Sequence, residues 1–239
     1  MPIFEFNLPK GLSKALGLPT KSPRTAQMRV LKKLLKTAQY TSFGQKFNFA
    51  EILKHRHIGK NFQESVPTYN YNKIYKDWWH LTLEGQSDIC WPGKINYFAL
   101  SSGTSEAASK YIPITNDLLR GNKIIMIKQL ISFLKYREIP LSAMGRGWLT
   151  LGGSTDLQKG AGYYAGDLSG ITAKKSPFWF QPFYKPGKKI AKERDWNKKL
   201  KEIVEKAPEW DISFVVGVPE WIQMCLEMVI ERYKHNNIH

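Results

Sequence analysis

The residues of this sequence best suited to chemistry are concentrated in the run Ser-Ser-Gly-Thr-Ser-Glu-Ala-Ala-Ser-Lys, residues 101–110. Four hydroxyl-bearing side chains follow one another here: Ser101, Ser102, Thr104 and Ser105. Their hydroxyls and backbone N–H groups can surround phosphate oxygens, and Gly103 lets the backbone approach a ligand closely. Lys110 can add a point charge to the same anion. The residue types therefore predict a phosphate-binding loop.

Two extended segments should position this loop. The apolar run 95–100 before it and the segment 110–114 after it both have the composition of strands. A Walker A loop would open directly into a helix after its lysine, whereas Tyr-Ile-Pro-Ile follows Lys110 here. A cluster of Ser, Gly and Thr between apolar runs is also typical of a simple hairpin, but the two strands and the lysine favour a ligand loop.

The loop resembles the first nucleotide-binding motif of the adenylate-forming superfamily. Within that superfamily the chain is similar to the auxin-responsive acyl-acid amido synthetases of plants (the Gretchen Hagen family) and their bacterial relatives. Further segments extend the resemblance over nearly the whole chain: 27–31 through Thr41-Ser42-Phe43-Gly44, Val66-Pro67 with Tyr71, Leu83-Glu84-Gly85 through Trp91-Pro92-Gly93, and Gly217-Val218-Pro219-Glu220-Trp221.

The chain departs from the family pattern in two respects. Ala107 stands where the family loop commonly has a second glycine. Family members are also considerably longer, with an adenine-contacting segment, a Tyr-Arg-x-Gly-Asp segment and a small C-terminal domain. The resemblance therefore implies that residues 1–239 are the N-terminal part of an adenylate-forming, ATP-binding domain whose C-terminal part is absent. The expected fold class is α/β, with mixed sheets flanked by helices.

The resemblance also implies an activity. It is the ATP-dependent activation of a carboxylic acid as an acyl-adenylate, followed by amide formation with an amino acid or another amine, with ATP and Mg²⁺ as cofactors. Residues 101–105 would cradle the phosphates and Lys110 would be catalytic, while no metal ligand is assigned; the chain alone is expected to be inactive. The alternatives are an acyl-CoA-forming ligase of the same superfamily, a basic module that binds nucleic acid or anionic membrane, and an inactive structural remnant.

Composition bounds these alternatives. The net charge of +16 by itself suggests an anionic partner. Many of the lysines, however, occur in helical patterns where a solvated face is the ordinary explanation: Lys32, Lys33 and Lys36 in one, Lys198, Lys199 and Lys201 in another. The charge is therefore weak evidence for such a partner, and no nucleic acid and no membrane are expected. The resemblance implies small-molecule carboxylic acid and amine substrates, and the C-terminal half of the same polypeptide, as partners.

The cellular compartment is predicted from the cysteines and the N-terminus. Cys90 and Cys225 have no metal-binding spacing and are interpreted as reduced core thiols. The N-terminus lacks a signal-peptide pattern, and no apolar run has the length of a membrane span. A cytoplasmic protein is expected.

Periodicity predicts the elements around the loop. Ser22 should cap a first helix with Met28, Leu31, Leu34, Leu35 and Ala38 on one face, and residues 44–86 should form two or three short helices. The next predictions are a deeply buried helix from Asn116 ending by Pro140, a strand over 147–152 and a glycine-rich surface connection over 160–170 with a ligand loop as its alternative. An aromatic stretch over 177–186 should pack in the core or against the absent C-terminal half. The last predictions are a basic helix over 195–206, a buried strand over 212–216 and a final helix from Pro219.

Overall fold

The computed structural model of the chain describes residues 22–101, 110–133 and 140–234. The chain divides into two compact units, one up to Lys94 and one from Ile95 onward. Each unit has its own hydrophobic core. The predicted loop belongs to the second unit.

The described part of the first unit is built from helices. They are α1 Pro23–Ala38, α2 Ser42–Lys46, α3 Phe49–Lys54, α4 Ile58–Ser65, α5 Tyr71–Ile74 and α6 His80–Leu83, with a π-helical turn, Tyr75–Trp79, joining the last two. Ser22 caps α1 as predicted, because its Oγ accepts a hydrogen bond from the N–H of Thr25 at 3.2 Å. The core contains Leu35, Ala38, Phe49, Ile52 and Ile58. Leu34, placed by periodicity on the same face, is 45% exposed.

Residues 44–86 form more short helices than the two or three expected from the sequence. One break lies at Asn48, whose φ of 52° places it in the left-handed region between α2 and α3. Close packing determines the turn before α2, since a Cβ at Gly44 would lie 2.0 Å from the carbonyl oxygen of Ala38. Such local contacts divide the segment into helices of four to eight residues.

The second unit contains two sheets. Their strands are β1 Tyr97–Leu100, β2 Tyr111–Ile114, β3 Gly147–Leu151, β4 Gln158–Lys159, β5 Tyr164–Gly166, β6 Tyr184–Lys185 and β7 Ile212–Gly217. The four-stranded sheet has the order β2-β1-β5-β4, with β1 antiparallel to β2 and parallel to β5. The three-stranded sheet has the order β6-β3-β7 and is entirely parallel. The predicted strands on both sides of the loop are confirmed.

Helices flank both sheets: α7 Asn116–Phe133, α8 Leu168–Lys174, α9 Gly187–Ala191, α10 Trp196–Lys206 and α11 Pro219–Tyr233. Three clusters of buried side chains join helices to strands. One packs β3 against α10 and α11, and includes Leu149, Leu200 and Ile203. A second packs β1 and β2 against α7 and α8, and a third surrounds Trp148 of β3. The predicted α/β class with mixed sheets and flanking helices is confirmed.

The predicted deep burial of α7 is wrong. Ile124, Ile127 and Ile131 are 48%, 41% and 53% exposed. Leu119 is buried against the sheet, and Leu130 is partly buried beside the cluster around Trp148. The cap of α7 is Thr115, whose Oγ1 accepts from the N–H of Leu118 at 3.0 Å. A high density of apolar residues identified the helix but not the share of its surface that packs.

The predicted burial of the strand over 212–216 is partly wrong. Strand β7 is half-buried at its start, but Val216 near its end is 49% exposed. In the aromatic stretch, Phe180 and Tyr184 pack in the core, whereas Phe178 is 87% exposed and its packing against a C-terminal half stays a prediction. Aromatic and β-branched composition favours packing without fixing which side chains pack.

The two cysteines are free thiols, as predicted. Cys225 is buried in the core beside β3, and Cys90 is half-buried in the first unit. Burial raises the pKa of Cys90 to about 12 and that of Cys225 to about 11. Both side chains therefore stay protonated at neutral pH, and Cys225 packs as a core residue.

Candidate functional site

Two hydrogen bonds between Ser101 and Lys110, together called the neck below, join the two ends of the predicted phosphate loop. The N–H of Ser101 donates to the carbonyl oxygen of Lys110 at 3.1 Å, and the N–H of Lys110 donates to the Oγ of Ser101 at 3.3 Å. Strand β2 continues directly from Lys110, so the predicted contrast with a Walker A loop is confirmed. Ser102, Gly103, Thr104 and Ser105 lie outside the described residues, and their phosphate-binding role stays a prediction.

A cavity of about 440 Å³ lies beside this neck. Leu100 and Ser101 line it at the carboxyl end of β1, and Gly166 does so at the end of β5. Further walls come from the segment after β3 and from α10 and α11. Ligands of α/β proteins bind at the carboxyl ends of parallel strands, so this is the expected place for a site. Among the described residues of the predicted set, Ser101 lines the cavity and Lys110 does not.

The segment Gly152–Asp156, which follows β3, is held tightly against α8. The N–H of Gly153 donates to the Oγ of Ser169 at 2.9 Å. A Cβ at Gly170 would lie 2.0 Å from the carbonyl oxygen of Ser154. The glycine at position 170 is therefore required by the close approach of the helix to this segment.

The glycine-rich stretch 160–170 lies largely at the surface, as predicted, but it is more than a connection. It carries β5 and the first turn of α8, and Ile171 directly after it is fully buried. Gly166 and Asp167 from this stretch line the cavity. The alternative interpretation, a second ligand loop, agrees with this position.

Charged groups fix the turn that leads into α10. Arg194 forms an ion pair with Asp156 at 3.0 Å and also donates from Nε to the carbonyl oxygen of Asp156 at 3.2 Å. Glu193 pairs with Lys198 at 2.7 Å. The hydrogen bond from Lys198 and that from the backbone of Asp195 lower the pKa of the Glu193 carboxyl. These contacts hold the start of α10 against the cavity wall.

Lys199 is not the solvated helix lysine that the sequence predicted. Its side chain is 3% exposed, and its Nζ donates to the carbonyl oxygen of Gly152 at 3.1 Å. Burial lowers its pKa, while the charges of Asp167 and Glu193 oppose that shift. The sequence spacing could have indicated this burial. Lys199 lies three residues after Trp196 and four before Ile203, which places it on the apolar face of the helix.

Two tryptophans complete this wall. The rings of Trp196 and Trp221 lie with their centroids 4.2 Å apart, and both residues line the cavity. The Nε1 of Trp196 is buried and has no hydrogen-bond acceptor among the described residues. Within residues 22–101, 110–133 and 140–234 there is no group of three or more side chains suited to hold a metal ion.

Residues 13–202 match the family model described as the GH3 family N-terminal domain. The chain belongs to the GH3 family. The predicted relationship to the acyl-acid amido synthetases is thereby confirmed at the level of the family. No curated protein matches the sequence.

Solved structures show the same fold. The chain is similar to the GH3.15 acyl acid amido synthetase, with a TM-score of 0.68 and 18% identity. It is also similar to AtGH3.15 acyl acid amido synthetase in complex with 2,4-DB, with a TM-score of 0.65 and 18% identity. Each match covers 98% of this chain, but only 41% and 40% of the respective synthetase. In the described part of this GH3 chain no helix has the length and apolarity to cross a membrane.

Proposed function

We propose that this chain is the N-terminal part of an ATP-dependent ligase that activates a carboxylic acid as its adenylate and joins it to an amine. Membership of the GH3 family supports this reaction class. The observation that carries the proposal is that Ser101, which is hydrogen-bonded to Lys110 at the two ends of the predicted phosphate loop, lines a cavity at the carboxyl ends of β1 and β5.

The neck leaves Ser101 one donor for an anion. A hydroxyl has one O–H donor and two acceptor lone pairs. The Oγ of Ser101 accepts from the N–H of Lys110, and its own backbone N–H is used in the neck. Among the described residues no group accepts the hydroxyl hydrogen, so it can be donated to a phosphate oxygen. Ser101 thus fits the first position of a phosphate loop.

The proposed reaction has two steps. A carboxylate oxygen of the acid attacks the α-phosphorus of ATP, and the bond to pyrophosphate breaks. The amine then attacks the acyl carbon, AMP leaves, and the amine loses a proton. Negative charge gathers on the departing groups, so donors from residues 101–105 and the charge of Lys110 stabilise the transition state. Mg²⁺ bound with ATP would further stabilise the phosphate oxygens.

Acid-dependent exchange of pyrophosphate into ATP, measured on the protein encoded by the complete gene, tests this function. Lys110→Ala, and Ser102→Ala with Thr104→Ala, should each lower the exchange rate about ten- to a thousandfold, the effect of losing donors aimed at developing charge. Lys33→Ala is the matched control, because Lys33 is an exposed lysine of α1. It should change little.

Full exchange activity in the loop variants, with normal folding, would contradict the proposed roles of the loop. Complete absence of exchange would contradict the function itself. Binding to DNA or anionic vesicles that falls steeply with salt and does not respond to ATP would favour the basic binding module instead.

A further inference from the structure

We propose that Lys199 binds the carboxylate of a small aromatic acid in the cavity. The class of ligand rests on the proposed function, in which a carboxylic acid is the first substrate. The residue is assigned from the wall of the cavity, where Lys199, Trp196 and Trp221 lie together.

Lys199 has more hydrogen-bond donors than partners. An ammonium has three N–H donors, and the carbonyl oxygen of Gly152 accepts one of them at 3.1 Å. Among the described residues no other group accepts from its Nζ, and none forms an ion pair with it. The side chain is 3% exposed, so water can satisfy little of the remainder. A buried ammonium in this state is costly unless an anion reaches it.

The other charges of the wall do not neutralise Lys199 at close range. Arg194 is matched by Asp156, with which it forms an ion pair at 3.0 Å. Asp167 and Glu193 act on Lys199 only through longer-range attraction, which favours its charged form. Glu193 is itself paired with Lys198. Among the described residues Lys199 therefore has the carbonyl oxygen of Gly152 as a hydrogen-bond acceptor but no carboxylate in contact, which suits the capture of an anionic group.

The neighbouring aromatic side chains indicate the rest of the ligand. Trp196 precedes Lys199 by three residues, so the two share one face of α10. The Nε1 of Trp196 offers a second buried donor without an acceptor among the described residues. Together with Trp221 it supplies an aromatic wall, which favours a flat apolar body. The volume of about 440 Å³ lies within the range of small-molecule sites.

Calorimetric titration of the 239-residue chain with benzoate and phenylacetate, without ATP, tests the proposal. The neutral amides of the same acids are the matched ligands. We expect an acid to bind, its amide to bind about tenfold more weakly or worse, and Lys199→Met to weaken binding of the acid by about ten- to a hundredfold, the effect of losing a hydrogen bond to a charged group. Lys199→Arg should retain part of the affinity. Lys201→Met, an exposed lysine of the same helix, is the control and should bind like the wild type.

The position of the bound acid is tested separately by NMR. The indole N–H of Trp196 should shift in a proton–nitrogen NMR spectrum on addition of the acid, with Trp196→Phe used to assign the signal. Absence of binding by both acids, equal binding of acid and amide, unchanged binding by a folded Lys199→Met chain, or a static Trp196 signal would each overturn the proposal. The comparison of acid with amide uses only the wild-type chain, so it does not depend on folding of the variants.

This experiment and the exchange assay can fail separately. If the acid binds through Lys199 but the complete protein exchanges no pyrophosphate, the proposed function fails and the carboxylate site stands. If exchange requires an acid but Lys199→Met leaves its KM for the acid unchanged, the function stands and the assignment of Lys199 fails.

Discussion

Burial of the Lys199 ammonium has an energetic cost that depends on pH. Burial lowers the pKa of this side chain in the folded chain below its ordinary value of 10.5, against the attraction of Asp167 and Glu193. In the pH range between the folded and unfolded pKa values, the unfolded chain binds more protons than the folded one. Stability therefore rises with pH through that range, and the cost is full below it.

We predict that the free energy of unfolding of the wild-type chain, relative to Lys199→Met, increases as the pH is raised from neutral towards 10.5. At neutral pH the variant should be at least as stable as the wild type, because methionine can fill the same space without a charge. Urea denaturation at a series of pH values measures the difference. A difference independent of pH would contradict the prediction, and Lys201→Met provides the exposed-lysine control.

At the scale of single elements, the close approach of α8 to the segment after β3 requires a glycine at position 170. A methyl group at Gly170 would overlap the carbonyl group of Ser154, which belongs to the backbone and cannot rotate away. Because this segment forms one side of the cavity, displacement of α8 would also change the site.

Gly170→Ala should lower the free energy of unfolding by about 1–3 kcal/mol or more, the usual cost of overpacking. Gly121→Ala is the matched control within α7, where a Cβ would meet nothing within 4 Å. That substitution should stabilise the chain by about 0.5–1 kcal/mol through helix propensity. Urea denaturation of both variants tests the pair. Equal effects at the two positions would show that the contact between α8 and Ser154 is not close.

Elements whose signals are local could be predicted from the sequence. Ser22 capping α1, the strands around the loop and the helix beginning at Pro219 all depend on residues within a few positions of each other. The environment of Lys199 could not be predicted in full, although its helical spacing indicated an apolar face. Its partner Gly152 lies 47 residues away in the chain, and only the packing of α10 on β3 brings the two together.

At the scale of the whole molecule, the largest departure from expectation is the exposed apolar surface of α7. Ile124, Ile127 and Ile131 follow helical spacing, so they form one continuous strip. Monomeric proteins seldom expose such strips without a function. The high positive charge of the chain opposes its self-association but does not cover this surface.

We predict that the chain self-associates with rising concentration, measured by sedimentation velocity. Ile124→Glu with Ile131→Glu should raise the dissociation constant about tenfold or more, because each exposed isoleucine that becomes buried contributes about 1.5–3 kcal/mol. Val30→Glu, at an apolar position of α1 that is 57% exposed, is the control for added charge. A monomer at every concentration would contradict the prediction.

The cavity draws its walls from both sheets of the second unit, and this has a consequence for motion. Ser101 and Gly166 lie at the carboxyl ends of the two inner strands of the four-stranded sheet, and Gly153 follows the central strand of the other. A ligand in contact with all three would act as a cross-link, since the end of neither sheet could open without releasing it. Protection of β1, β5 and β3 against amide hydrogen exchange would then increase together, by up to the free energy of ligand binding.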